Sequence, residues 1–125
     1  MVYFLYDPAS QQWRYVAAAL KNRSESLGAQ ILAAADYYTP TRILEKFEEV
    51  SGQKGRFIQV DSDTYKSFMP GPIGEEMLEN HLFIENSGYF NGRDLKESHD
   101  LLQKAGYQRT SWRDFLLRNK AAFLQ

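Results

Sequence analysis

The sequence predicts an α/β protein, and three observations carry that reading. A β-branched and aromatic run at residues 2–6, an apolar run at residues 30–34 and an alternating run at residues 56–61 read as strands. Each of the first two is followed by a stretch of helix length with apolar residues at helical spacing, and beyond residue 61 the pattern is helical to the end. The order strand, helix, strand, helix, strand and then helices describes two strand–helix units of a parallel sheet followed by a small α+β lobe. Neither piece is self-sufficient, because a parallel sheet needs cover on both faces and its edges need protection.

Val2 to Tyr6 ends at Asp7-Pro8, a strand entering a turn. Trp13, Val16, Ala17 and Leu20 fall on one stripe and predict a helix over residues 10–22, closed by the polar residues 21–28. Residues 30–34 form a short apolar run, read as a strand buried on both faces. Thr39-Pro40 is a helix start, with Thr39 as N-cap and Pro40 at the first helical position. Ile43, Leu44, Phe47 and Val50 form that helix's apolar stripe, and Gly52 stands where a terminating glycine belongs. Residues 56–61 alternate polar and apolar, as a half-buried strand does.

Asp61 or Ser62 caps a short helix through Phe68, which Pro70-Gly71-Pro72 breaks. A longer helix over residues 72–86 puts Ile73, Met77 and Ile84 on one side, with Leu78 and Leu82 beside them, and Gly88 ends it. Asn91-Gly92 is a turn signal, and residues 94–105 make a further helix stopped by Gly106. The last helix opens on Ser111 with Asp114 three residues on, a capping box with Asp in place of Glu. Trp112, Phe115, Leu116 and Phe123 form its expected buried face. With no repeat, low-complexity tract or long linker, residues 1–125 read as a single domain.

Composition narrows the function classes. Fifteen basic against sixteen acidic residues leave no electrostatic footprint for nucleic acid or an anionic membrane. The absence of cysteine excludes disulfides, thiolate catalysis and cysteine-ligated metals. No apolar run approaches the roughly 20 residues needed to span a bilayer. The apolar start lacks the basic region and cleavage site of a signal peptide, so the expected location is cytoplasmic.

Local chemical patterns have structural explanations. Ser98-His99-Asp100 holds the residue types of a hydrolase triad, but adjacent helical positions diverge by about 100° and do not converge on one atom. The expected role is a solvated helix face. His81 and Glu85 stand four apart, as two metal ligands would, yet two ligands make only an open site and an ordinary helix pair explains them. Glu75, Glu76 and Glu79 follow Pro72, where early carboxylates favour the helix dipole. Tyr37 and Tyr38, beside a strand end, are expected to pack rather than touch a ligand.

Several segments in collinear order carry a family resemblance. They are Asp7 with residues 15–20 (YVAAAL), then residues 27–40 (LGAQILAAADYYTP), 47–54 (FEEVSGQK), 65–68 (YKSF) and 75–80 (EEMLEN). Residues 88–92 (GYFNG) and 111–115 (SWRDF) complete the set, which spans nearly the whole chain. Together they resemble the carboxy-terminal half of NmrA-like proteins of the fungal type, atypical relatives of the short-chain dehydrogenase/reductases. The resemblance implies a Rossmann-type nucleotide domain plus a smaller lobe. Residues 2–6 and 30–34 would be late strands of the large sheet, a partial Rossmann edge. The substrate lobe would hold residues 56–60 and the helices after them. It also implies NAD(P) as cofactor if a Rossmann half is supplied, in members that are either reductases or redox-responsive regulators. The helix over residues 72–86 would lie along the cleft between the halves, making Asn80, His81 and Phe83 candidates for pocket lining.

The nucleotide-binding half is absent from the pattern. No glycines form G-x-G-x-x-G after a strand, and Gly52 and Gly55, the nearest approach, follow a helix. No tyrosine has lysine four residues on, the pair by which short-chain dehydrogenases polarise a carbonyl: Tyr15 meets Ala19, Tyr65 Met69 and Tyr89 Arg93. The expectation is therefore a pocket-lobe protein related to NAD(P)-dependent oxidoreductases, with no catalytic, cofactor-binding or metal residues of its own. Its expected partners are a second copy or a Rossmann half. The alternatives are a regulatory or interaction module, or a truncated gene product.

Overall fold

A computed structural model describes residues 3–5, as backbone, and residues 12–124. Helices dominate them. Strand β1 (Tyr3–Leu5) precedes helices α1 (Gln12–Lys21) and α2 (Arg23–Ser26), followed by strand β2 (Asp36–Tyr38). Helices α3 (Pro40–Ser51), α4 (Ser62–Ser67), α5 (Gly71–Ser87), α6 (Lys96–Lys104), α7 (Trp112–Arg118) and α8 (Lys120–Phe123) complete the order. The expected strand at residues 2–6 survives as its central three residues, while Val2, Tyr6 and the turn at Asp7-Pro8 lie outside the described residues.

The helix ends follow the local sequence. The Thr39 hydroxyl accepts from the Arg42 N–H, Pro40 opens α3, and Gly52 at φ +72° closes it with its N–H on the Glu48 carbonyl. Only glycine takes that left-handed conformation without strain. Asp61 rather than Ser62 caps α4, its carboxylate accepting from the Thr64 N–H at 2.8 Å, and that bond holds its pKa below the ordinary value. At α7 the capping box is complete. The Ser111 hydroxyl accepts from the Asp114 N–H at 3.1 Å, and the Asp114 carboxylate accepts from the Ser111 N–H at 3.3 Å.

Three packed groups result. Tyr15 and Ala18 of α1 meet Leu101 and Leu102 of α6. Helix α3 packs on α7 and α8, where Leu116 is fully buried, Phe47 meets Phe123 edge-on, and the Trp112 indole N–H donates to the Ile43 carbonyl at 3.0 Å. Helices α4 and α5 form a hairpin in which a Cβ at Gly74 would stand 2.8 Å from the Lys66 carbonyl oxygen, so glycine permits the close approach.

Four expectations are corrected. The two strands pair antiparallel in one short ladder, with Tyr3 opposite Tyr38, Phe4 opposite Tyr37 and Leu5 opposite Asp36, where two strand–helix units imply parallel pairing. Residues 30–34 form no strand, because their backbone groups bond to side chains of neighbouring elements instead of to a ladder. Residues 56–60 form none either. Phe57 and Ile58 stand in solvent, so among the described residues no second apolar layer holds a half-buried strand. On α1 the buried side is Tyr15 and Ala18, while Val16 and Leu20 of the expected stripe are 58% and 75% exposed. This helix is apolar nearly all round, and packing against α6 selects which side is covered. A smaller shift concerns the glutamates after Pro72. Helix α5 starts at Gly71, so they fall past its first turn, and Glu75 lies 3.8 Å from the Lys66 ammonium.

The Ser111 cap is directly testable. Ser111→Ala is expected to lower unfolding free energy by about 0.5–2 kcal/mol, read as a lower midpoint in urea denaturation.

Candidate functional site

The segment between α2 and β2 organises the site. Its backbone runs between α1 and α6 without a strand partner, and side chains supply the missing bonds. The Leu32 N–H donates to Ser98 Oγ at 2.8 Å. The Ala34 carbonyl accepts from the Tyr15 hydroxyl at 2.9 Å and lies 2.8 Å from His99 Nε2. The Ala35 carbonyl accepts from Arg109 Nη1 at 3.1 Å. A buried carbonyl offers two lone pairs, and Ala34 uses both.

These bonds fix His99. Its Nδ1 lies 3.0 Å from the same Arg109 Nη1, and a guanidinium only donates, so Nδ1 is the acceptor. Nε2 therefore carries the proton toward the Ala34 carbonyl. The Tyr15 phenol is 3% exposed, and its pKa is pushed up to about 12 by burial, against a smaller opposing pull from Arg109. It is a neutral hydrogen-bond donor, not a proton-transfer group at neutral pH.

The expected solvated face over residues 98–100 is corrected in part. Ser98 is 5% exposed and bonded to Leu32, and His99 turns into the segment, while Asp100 alone is solvated and pairs with Lys96 at 2.5 Å. As expected from their divergence along the helix, the three do not form a triad.

Beside His99 opens a cleft of about 1220 Å³ between β2, the turn before α6, and residues 106–111. Tyr37, Tyr38 and Tyr107 contribute aromatic wall, and Arg93, Lys96 and Arg109 contribute cations. Tyr37 and Tyr38, expected as packing residues, are hydrogen-bonded to neighbouring elements and also line this cleft. Tyr38 is buried and its hydroxyl accepts from the Trp112 N–H at 3.3 Å, while the Tyr37 hydroxyl donates to the Arg93 carbonyl at 2.6 Å. Burial, then the nearby Asp94 carboxylate, raises the Tyr37 pKa. A second cleft of about 650 Å³ lies between α2 and α6.

Asn80, His81 and Phe83 sit together on α5, which the structure packs against α4. Asn80 and Phe83 are exposed, and the half-buried His81 ring meets Tyr65 edge-on at 5.3 Å. Neither cleft described above includes them. Arg109 and the cleft-side role of His99 escaped the sequence reading because their partners lie 74 and 65 positions away, and no local pattern signals that.

Among the described residues no three or more His, Asp or Glu gather to hold a metal, and no helix is long and apolar enough to cross a membrane. Nor do the glycines fit a dinucleotide. Gly52 is a helix C-cap, and a Cβ at Gly55 would stand 2.6 Å from Leu44 Cδ1, a packing role rather than an approach to pyrophosphate.

The described residues thus define a helical layer with an open polar and aromatic cleft, exposed apolar flanks and no phosphate-cradling turn. The NmrA-like family profile matches residues 12–116, and the chain belongs to that family. Membership relates it to NAD(P)-binding oxidoreductases and points to an α/β fold, of which the described residues are mostly the helical part. No curated protein and no solved structure matched the chain.

Tyr15 gives the site a pH signature. A folded-state pKa near 12 against an ordinary 10 means its stabilisation is present below pH 10 and is lost as pH rises to 12. Thermal melts across that window are expected to show roughly 1–3 kcal/mol of alkaline destabilisation that Tyr15→Phe removes. At pH 7 the same substitution is expected to cost about 1 kcal/mol for one lost hydrogen bond.

Proposed function

We propose that this chain supplies the substrate-pocket lobe of an NmrA-like protein and does not catalyse alone, the nucleotide-binding half coming from a Rossmann-type partner. The observation that carries the reading is the exposed apolar surface. Trp13, Val16, Leu20 and Leu27 stand uncovered on the α1–α2 side, and Phe68, Ile73, Leu82 and Phe83 on the α4–α5 hairpin. Such surface on a soluble chain marks contact with another protein surface. Asn80, His81 and Phe83 on α5 are then pocket-lining residues, Asn80 and Phe83 from exposed positions and His81 from beside Tyr65 of α4. The same surface supports a second reading, a non-catalytic regulatory or docking module of fungal NmrA-like type, in which another protein covers these helices. Self-association as a twofold dimer is the simplest cover when no Rossmann half is present.

Two measurements test this. Calorimetric titration of the isolated chain with NADPH is expected to show no stoichiometric complex, and micromolar binding would overturn the division of labour. Light scattering at tens of micromolar is expected to show a dimer or larger species, and a monodisperse monomer would refute the need for cover. Leu20→Glu is expected to weaken association while leaving the helical circular dichroism intact, since the side chain is 75% exposed in the single chain.

A further inference from the structure

We infer that the cleft beside His99 is a binding site for a small organic monocarboxylate, gripped by the free edge of Arg109. The inference goes beyond the pocket-lobe reading, whose candidate residues on α5 do not line this cleft.

The argument begins with hydrogen-bond accounting. A guanidinium carries five N–H donors. Nη1 of Arg109 spends its two on the Ala35 carbonyl and on His99 Nδ1, at 3.1 and 3.0 Å. The Nη2 and Nε donors have no acceptor among the described residues, and no described carboxylate lies within 4.0 Å of this cation. The two bonds to Nη1 fix the plane of the group and leave its other edge, formed by Nε and Nη2, unbonded among the described residues. That edge is the side-on fork that matches the two oxygens of a carboxylate.

The cleft's carboxylates and Lys96 are matched. Asp36 accepts from the Tyr37 N–H and faces Arg42, Asp94 accepts from the Lys96 N–H, Asp100 pairs with Lys96, and Asp114 is held by Ser111. Arg93 donates to the Gln30 amide oxygen. Gln30 is outside this cleft's lining, and among the described cleft residues Arg109 is the cation that two bonds to neutral acceptors hold in one plane at the cleft wall. The four carboxylates around it also select the ligand's charge, since a phosphate dianion would meet more repulsion than a singly charged carboxylate. Tyr37, Tyr38 and Tyr107 offer aromatic wall to the organic part.

His99 acts here as a positioning residue. Its Nε2–H on the Ala34 carbonyl sets the ring, and its Nδ1 then holds Arg109.

The test is an NMR titration of the isotopically labelled full chain with benzoate, and in parallel with inorganic phosphate. Saturable benzoate binding with a dissociation constant on the order of 1 mM is expected, with shifts at residues 34–36, 99 and 107–109. Phosphate is expected to bind at least about fivefold more weakly. Arg109→Gln is expected to weaken benzoate at least about fivefold, and Arg109→Lys, which keeps the charge without the fork, to weaken it as well. His99→Asn, whose side-chain oxygen can replace Nδ1 as acceptor, is expected to retain binding that His99→Phe loses. Absence of saturable benzoate binding, wild-type affinity in a folded Arg109→Gln or Arg109→Lys variant, or phosphate binding as tight as benzoate would overturn the inference. The result stands apart from the NADPH and light-scattering outcomes, which concern the proposed nucleotide-binding partner.

Discussion

A stretch of backbone that crosses the interior without a strand partner must have its polar groups satisfied, or it costs several kcal/mol per orphan. Residues 32–35 meet that constraint with side chains: Ser98 for Leu32, Tyr15 and His99 for Ala34, and Arg109 for Ala35. Each bond ties a different element to the segment. Tyr15 brings α1, Ser98 and His99 bring α6, and Arg109 brings the loop before α7. The α1–α6 core then packs beneath the segment, with Ala18 and Leu102 almost fully buried. The cleft follows from the same constraint, because anchoring the segment also fixes the imidazole and the guanidinium at the cleft wall.

The second organising feature is surface left uncovered. Helix α1 is apolar around most of its circumference, and α6 covers only one side. Full burial of a Val or Leu side chain is worth about 1.5–3 kcal/mol, so the exposed row on α1 represents a substantial driving force toward any complementary apolar surface. The α4–α5 hairpin has the same character: among its helical residues Gly74 alone is buried, while Ile73 and Phe83 stand in solvent. Residues 56–60 belong to this group too, with an alternating pattern suited to a sheet and nothing to pair with among the described residues. Both flanks and the segment have the composition of buried structure and the exposure of surface.

Membership of the NmrA-like family gives these exposed faces a context, since the family relates the chain to proteins that bind dinucleotides. The described glycines serve caps, turns and helix contacts, so the chemistry within this chain rests on hydrogen-bond donors and aromatic surface. A neutral Tyr15 and an imidazole whose two nitrogens are both engaged are suited to holding shape and orienting Arg109, not to moving protons.

The sequence by itself determined the features whose cause is local. Thr39-Pro40, Gly52, Asp61, Gly88 and the Ser111/Asp114 box set helix ends within one turn, where capping bonds reach three or four residues. Its collinear resemblance also placed the chain in its family, through segments that the matched residues 12–116 largely enclose. Tertiary structure decided the rest. An apolar run such as residues 30–34 satisfies a strand and a buried irregular segment equally, and the choice rested on Ser98, His99 and Arg109, more than 60 positions away. Likewise α1 had two apolar sides, and only the position of α6 selected Tyr15 and Ala18 for burial. Backbone bonds and caps act over a turn and can be read along the chain, whereas burial and side-chain partners depend on which distant surfaces meet.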